Sequence, residues 1–117
     1  MTEEGTRPPG KTTVAPDVLI NIAMLTTLSI DGVSRMSANP SGVNRLLHRG
    51  QFSDGIQVSI ENSTVNADIH VILKSDVNIR QVSRNIQQEV ARAISEMVGM
   101  TVGKINIHIE DIDFQEE

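Results

Sequence analysis

The side chains in this chain best suited to chemistry are two histidines, each with a carboxylate two residues away: Asp68-Ile69-His70 and His108-Ile109-Glu110. Residues two apart share one face of a β-strand, because successive side chains alternate. If those strands are neighbours, the face could gather imidazole and carboxylate ligands for a metal. The same groups could serve as general acid and base. No nucleophile arrangement or oxyanion loop accompanies them, so the plainer reading is a solvated sheet face with two histidines. Whether that face binds anything is left open. No catalytic residue, cofactor site or metal site is assigned.

A second pattern is formally sharper and physically weaker. Gly5-Thr6-Arg7-Pro8-Pro9-Gly10-Lys11-Thr12 satisfies the phosphate-loop spacing G-x-x-x-x-G-K-[ST]. A working loop follows a buried strand and opens a helix, so that backbone amides and the helix dipole meet the phosphates. Here Met1-Thr2-Glu3-Glu4 precedes it, a β-branched run follows, and Pro8 and Pro9 remove two amide donors. The match is a coincidence in a polar tail. Arg45, His48 and Arg49 form the most basic local spot, read as a solvated loop ahead of an anion or partner contact. Arg80, Arg84 and Arg92 read as a solvated helix face, with an acidic partner as the alternative. Asn62-Ser63-Thr64 is a glycosylation sequon by pattern only.

The elements that must position these residues follow from hydrophobic spacing. Ile79, Val82, Ile86, Val90, Ala93, Ile94 and Met97 recur in steps of three and four, which marks one face of a helix. Asn78 suits its N-cap and Gly99 its left-handed stop. Lys104 to Glu110 then alternates with period two and predicts a strand. Upstream, Ile56, Val58 and Ile60, a turn at Asn62-Ser63, and Val65 to Leu73 predict an antiparallel hairpin. Lys11 to Val14 predicts a first strand and Gly32 to Met36 a second. Val43 to His48 suggests a helical turn. A helix begins at Pro16 and reaches about Ile30.

That first helix is unusual, because no charge interrupts it between Asp17 and Asp31. Val18, Leu19, Ile22, Ala23, Leu25 and Ile30 form a broad core-facing surface in this reading. Ile20, Met24 and Leu28 form a second stripe at i, i+4, i+8. A helix apolar nearly all round is buried on more than one side. Either the loop 38–54 covers the second stripe or the stripe is a self-association or partner surface, and Ile20, Met24 and Leu28 are the candidate protein-binding residues.

The expected fold is α+β, a two-layer sandwich in the order β-α-β-β-β-α-β. Both helices should cover one face of a mixed sheet. Gln57, Ser59, Asn66, Asp68, His70, Asn106, His108 and Glu110 should line the other. Residues 1–9 are expected as a tail, 10–114 as a single domain, and 115–117 as an acidic tail.

The chain's 117 residues suffice for one domain, and its 10 Lys plus Arg against 15 Asp plus Glu give a net charge of −5. That balance and only two aromatic residues, Phe52 and Phe114, weigh against a nucleic-acid binder. The absence of cysteine excludes disulfides, thiol catalysis and thiolate zinc sites. Met1 to Lys11 lacks the apolar segment of a signal peptide. Val18 to Ile30 falls short of the roughly 20 residues needed to span a bilayer. A soluble cytoplasmic protein is therefore expected.

The order of several segments carries a resemblance. They are Gly10 to Val14, Pro16 to Ala23, Asp31-Gly32-Val33, Gly55 to Val58, Asn78-Ile79-Arg80-Gln81-Val82, Ile86 to Val90, Met97 to Val102, and Ile105 to Ile109. Together they resemble the bacterial alkaline shock protein family, general-stress proteins linked to cell-envelope homeostasis. Two places depart: Ser75-Asp76-Val77 stands where members commonly carry Tyr-Gly, and Ala38 to Asp54 has no family wording. The resemblance implies a cytoplasmic, non-enzymatic scaffold or adaptor without cofactors. Such a protein would act by self-association and by binding a membrane-anchored partner at the inner face of the membrane. The alternative is a small RNA-binding α+β module. An enzyme or metal protein using His70 and His108 is the third reading.

Overall fold

The computed structural model describes residue 10 and residues 12–37 and 51–114, with the backbone alone at 51–53. Residues 38–50, the two tails and most of the phosphate-loop-like stretch lie outside the described residues. So do the turn expected at Val43 to His48 and the Arg45, His48, Arg49 cluster. The elements are α1 (Pro16–Leu28), β1 (Val33–Met36), β2 (Gln51–Ser53), β3 (Ile56–Glu61), β4 (Thr64–Lys74), α2 (Ile79–Val98) and β5 (Thr101–Asp113). The fold is α+β, with two helices and a mixed sheet, as the spacing predicts.

The second helix forms where its signals lie. Asn78 Oδ1 accepts a hydrogen bond from the Gln81 amide at 3.0 Å, satisfying an N-terminal donor that has no partner within the helix. At the other end Gly99 takes φ 72°, a left-handed conformation that only glycine adopts without steric cost, and its amide closes on Ser95 O. Val82, Ile86, Val90 and Ile94 are buried along its length, while Ile79 and Met97, at the two ends of the expected stripe, remain exposed.

β4 is the strand around which the sheet is built. One edge of it pairs with β5 in parallel, from Thr64↔Thr101 to Lys74↔Asp113. Its other edge is shared: β3 pairs antiparallel along Thr64 to Ile69, and β1 pairs antiparallel along Val71 to Leu73. The two short strands meet at His70, whose carbonyl accepts from the Ser37 amide and whose amide donates to Gly55 O. A Cβ on Gly55, at φ 79°, would collide with the Ser37 carbonyl, so this junction requires glycine. The β3–β4 hairpin turns on Asn62 and Ser63, both left-handed at φ 52° and 62°. Positive φ at both central residues is the geometry that matches strand twist in a two-residue turn.

Two expectations about the sheet are corrected. Residues 12–15 form no strand; Ala15 is extended ahead of Pro16, and the free edge of β3 is occupied instead by Gln51–Ser53, which pairs with residues 56–58. The observed order is therefore α-β-β-β-β-α-β, with the extra strand drawn from the segment expected to be a loop. The sheet face away from the core is also not uniformly solvated. His70 and Gln57 are buried there, at 2% and 5% exposure. Gln57 lies between Phe52 of β2 and Asp68 of β4 in the pairing, and the His108 ring stacks over His70.

The core lies between the helices and the sheet. Val65, Ala67, Ile69, Val71 and Leu73 of β4 are each at most 1% exposed and meet Leu19, Ile20 and Ala23 of α1 and the buried row of α2. Burying a side chain of this class contributes roughly 1.5–3 kcal/mol, which makes this interdigitated layer the dominant source of stability.

Candidate functional site

The histidine and carboxylate residues are brought together as the alternation predicts. β4 and β5 are neighbours, with His70 opposite His108 and Asp68 opposite Asn106. The two imidazoles stack at a centroid separation of 4.4 Å and 12° between planes. Each is held by a carboxylate of the opposite strand: His70 Nδ1 lies 2.7 Å from Glu110 Oε2 and His108 Nε2 lies 2.9 Å from Asp68 Oδ1. Asp68 Oδ1 also accepts from Asn106 Nδ2 at 3.2 Å.

The geometry is that of two cross-strand histidine–carboxylate pairs, not of a set of ligands converging on one point. Nearly parallel rings direct their nitrogen lone pairs alongside each other, whereas a metal needs them to converge on one point about 2.0–2.1 Å away. Each carboxylate engages one nitrogen of its ring, and no group of three or more metal-capable side chains occurs among the described residues. The arrangement cross-ties two parallel strands on the face away from the helices.

A cleft of about 490 Å³ opens at the C-terminal end of α2. Thr12, Thr13, Ser63 and Thr101 bring hydroxyls to it, and Val14, Ile60 and Met100 bring apolar surface. Among the described residues that line it, no side chain carries a charge or an imidazole.

The remaining chemical feature of the surface is apolar. The expected protein-binding stripe divides among three environments: Ile20 is 2% exposed and in the core, Met24 is half-buried against it, and Leu28 is exposed. The residues expected to face the core divide as well. Leu19, Ile22 and Ala23 are buried, yet Val18 and Leu25 are 45% and 65% exposed. The helix is therefore rotated from the expected orientation. Its outward apolar row is Val18, Leu25 and Leu28, which with the exposed Asn21 follows helical spacing. The missed residues are Val18 and Leu25; the signal that could have found them is Asn21, the polar residue on their row, which marks that side as the outward one.

On the polar side, Arg92 pairs with Glu89 and Glu96 at 3.5 and 3.3 Å, all three well exposed, which contributes little. Asp113 is a carboxylate tuned by its neighbours. It accepts from Ser34 Oγ at 2.6 Å and from Arg35 Nε at 3.4 Å. The Ser34 hydrogen bond first, and the Arg35 guanidinium second, hold it below its ordinary value of 3.8. It fastens β1 to β5 across the end of β4.

Fold and surface together define a two-layer α+β domain with an outward apolar row on α1, and the chain belongs to a known family. Residues 4–114 match the alkaline shock protein 23 family, described as having a cell envelope-related function. The resemblance carried by the segments above is thereby borne out. The chain is 27% identical to the uncharacterized protein YqhY of Bacillus subtilis (strain 168), over 90% of this chain and 78% of that one. It is 30% identical to the uncharacterized protein Spy1535 of Streptococcus pyogenes serotype M6, over 88% of this chain and 79% of that one. Two solved structures of MamM CTD variants share its fold at a TM-score of 0.50 and 11% identity, covering 82% and 87% of this chain and 96% and 100% of theirs. No helix among the described residues is long and apolar enough to cross a membrane.

Proposed function

We propose that this protein is a non-catalytic scaffold or adaptor of the cell envelope, acting in the cytoplasm by self-association and by binding a membrane-anchored partner. The observation that supports the reading is the outward row of α1. Val18, Leu25 and Leu28 stand exposed at 45%, 65% and 44% on a helix with no charge between Asp17 and Asp31. Leaving large apolar side chains in water costs free energy, so such a row on a small domain supports reading it as a surface that meets another protein. Of the three residues first expected to make that contact, Leu28 retains the role, Met24 supports it from beneath, and Ile20 holds the helix to the core.

Capture from the host envelope tests the reading. Wild-type protein should co-purify with a membrane protein, and Leu25→Glu with Leu28→Glu should lose it while keeping the wild-type circular dichroism and melting temperature. Recovery of the same membrane protein by both forms would remove the α1 row from the proposal, and recovery of none by either would remove the membrane partner.

A further inference from the structure

We infer that the outer edge of β5 is where two copies of this chain pair, antiparallel and with a two-fold axis at Ile107. This rests on the self-association proposed above and names its surface. β5 is 13 residues long, matches β4 along its length, and has no strand on its other side among the described residues. Burial records the same asymmetry. The core-facing side chains of β4 are at most 1% exposed, whereas Ile107, Ile109 and Ile112 of β5 are only half-buried.

The direction of the backbone groups can be worked out. The Lys104 amide donates to Asn66 Oδ1, on the β4 side, at 2.8 Å. Backbone groups alternate sides along a strand, so those of Ile105, Ile107 and Ile109 face away from β4. The Ile105 carbonyl accordingly accepts from the Gln87 side chain of α2, at 3.0 Å. The pairing of β5 with β4 is regular from Ile105 to Ile109 and irregular just before and just after. That leaves a regularly paired stretch of five residues centred on Ile107, with outward-facing amides and carbonyls at its centre and both ends, the Ile105 carbonyl being shared with Gln87.

The occupant follows from self-complementarity. With Ile107 on the axis, Ile105 meets Ile109 of the second copy, Asn106 meets His108, and Lys104 meets Glu110. Gly103 then faces Asp111 and Thr101 faces Asp113, so no like charges stand opposed. A single register thus matches apolar to apolar and places the strand's one cation against an anion. No proline interrupts residues 101–113, although exposed edges are often blunted by one. Two sheets would join into one.

Sedimentation velocity across a concentration series, with and without substitutions on β5, tests this. Lys104→Glu sets two carboxylates opposite each other in both halves of the interface and should weaken the dimer by at least about tenfold. The double exchange Lys104→Glu with Glu110→Lys should restore it, its melting temperature being checked because Glu110 also holds His70. Ile107→Pro removes an amide that β4 does not use, so the fold should persist and the dimer should not. The chain has no cysteine of its own, so Ile107→Cys should form a disulfide-linked dimer on oxidation. Asn106→Cys should not, because diagonal mates lie about 7–8 Å apart, beyond disulfide reach. Self-association that ignores all of these changes would overturn the β5 interface and leave the scaffold reading standing. A wild-type monomer at every concentration would overturn both.

Discussion

The two helices lie side by side on one face of one sheet, and they solve the same packing problem from opposite compositions. α2 carries polar residues between every turn of its apolar row, so only one rotation about its axis buries that row without burying charge. α1 carries no charge from Val18 to Ile30, and several rotations would bury an equally apolar face. The structure selects Leu19, Ile20, Ile22 and Ala23 for the core and leaves Val18, Leu25 and Leu28 outside. A helix that must only pack needs one stripe, whereas α1 carries surplus apolar surface, and that surplus is what the scaffold reading explains.

The comparison breaks first at Ile20 and Leu25, five residues apart on α1. Ile20→Glu places an unpaired carboxylate in the core and should cost about 3–5 kcal/mol, a large fraction of the roughly 5–15 kcal/mol that holds an ordinary domain folded. Leu25→Glu changes an exposed position and should move stability by no more than about 0.5 kcal/mol. Urea melts followed by circular dichroism would distinguish them; the reverse order, with Leu25→Glu the costlier change, would mean that α1 sits in the orientation first expected.

The helix starts offer a smaller contrast. Asn78 caps α2 with its side chain, whereas Ala15 offers α1 no side-chain acceptor. Asn78→Ala should lose about 1 kcal/mol, and Ala15→Asp should gain a similar amount, since Ala15 already has the extended backbone of an N-cap. Thermal melts of the two single variants and of the double variant, where the changes should nearly cancel, check this.

The smallest effect concerns the tie between the strands that follow the two helices. Asp113 titrates lower in the folded chain than in the unfolded one because Ser34 and Arg35 stabilise its charge. A depressed carboxylate contributes stability that is fully present above its unfolded value of 3.8 and is lost as pH falls through its folded value. Asp113→Asn should therefore lower stability by a constant amount above about pH 4, flatten the acid limb of the profile, and leave the slope on its alkaline side unchanged. Urea midpoints measured from neutral pH down to pH 3 would show it; an unaltered acid limb would place the acid sensitivity at other carboxylates.

Much of the fold was legible because short-range physics writes it locally. Asn78 and Gly99 bound α2 to the residue, since a cap and a left-handed stop are made by side chain and backbone at that position. The hairpin turn at Asn62-Ser63 was legible for the same reason. The alternation around His70 and His108 correctly placed both rings on one face of adjacent strands.

What depended on distant parts of the chain was not legible. Val65 to Leu73 and Lys104 to Glu110 alternate in the same way, yet one became the central strand and the other an edge, because neighbours along the sheet come from elsewhere in sequence. His70 and Gln57 had the right parity and the wrong exposure, since a stacked ring and a flanking strand cover them. Thr12 to Val14 has strand-like composition, but it pairs with no strand and leads directly into Pro16 of α1. On α1, near-uniform apolarity leaves Asn21 as a faint mark of phase, and the contact residues are plain only once packing sets the rotation. Period, caps and turns were determined by the sequence by itself, because they act within one turn or one hairpin. Which apolar surface is buried and which is left for a partner was decided only by the tertiary structure, because burial is a property of what else arrives at the same place.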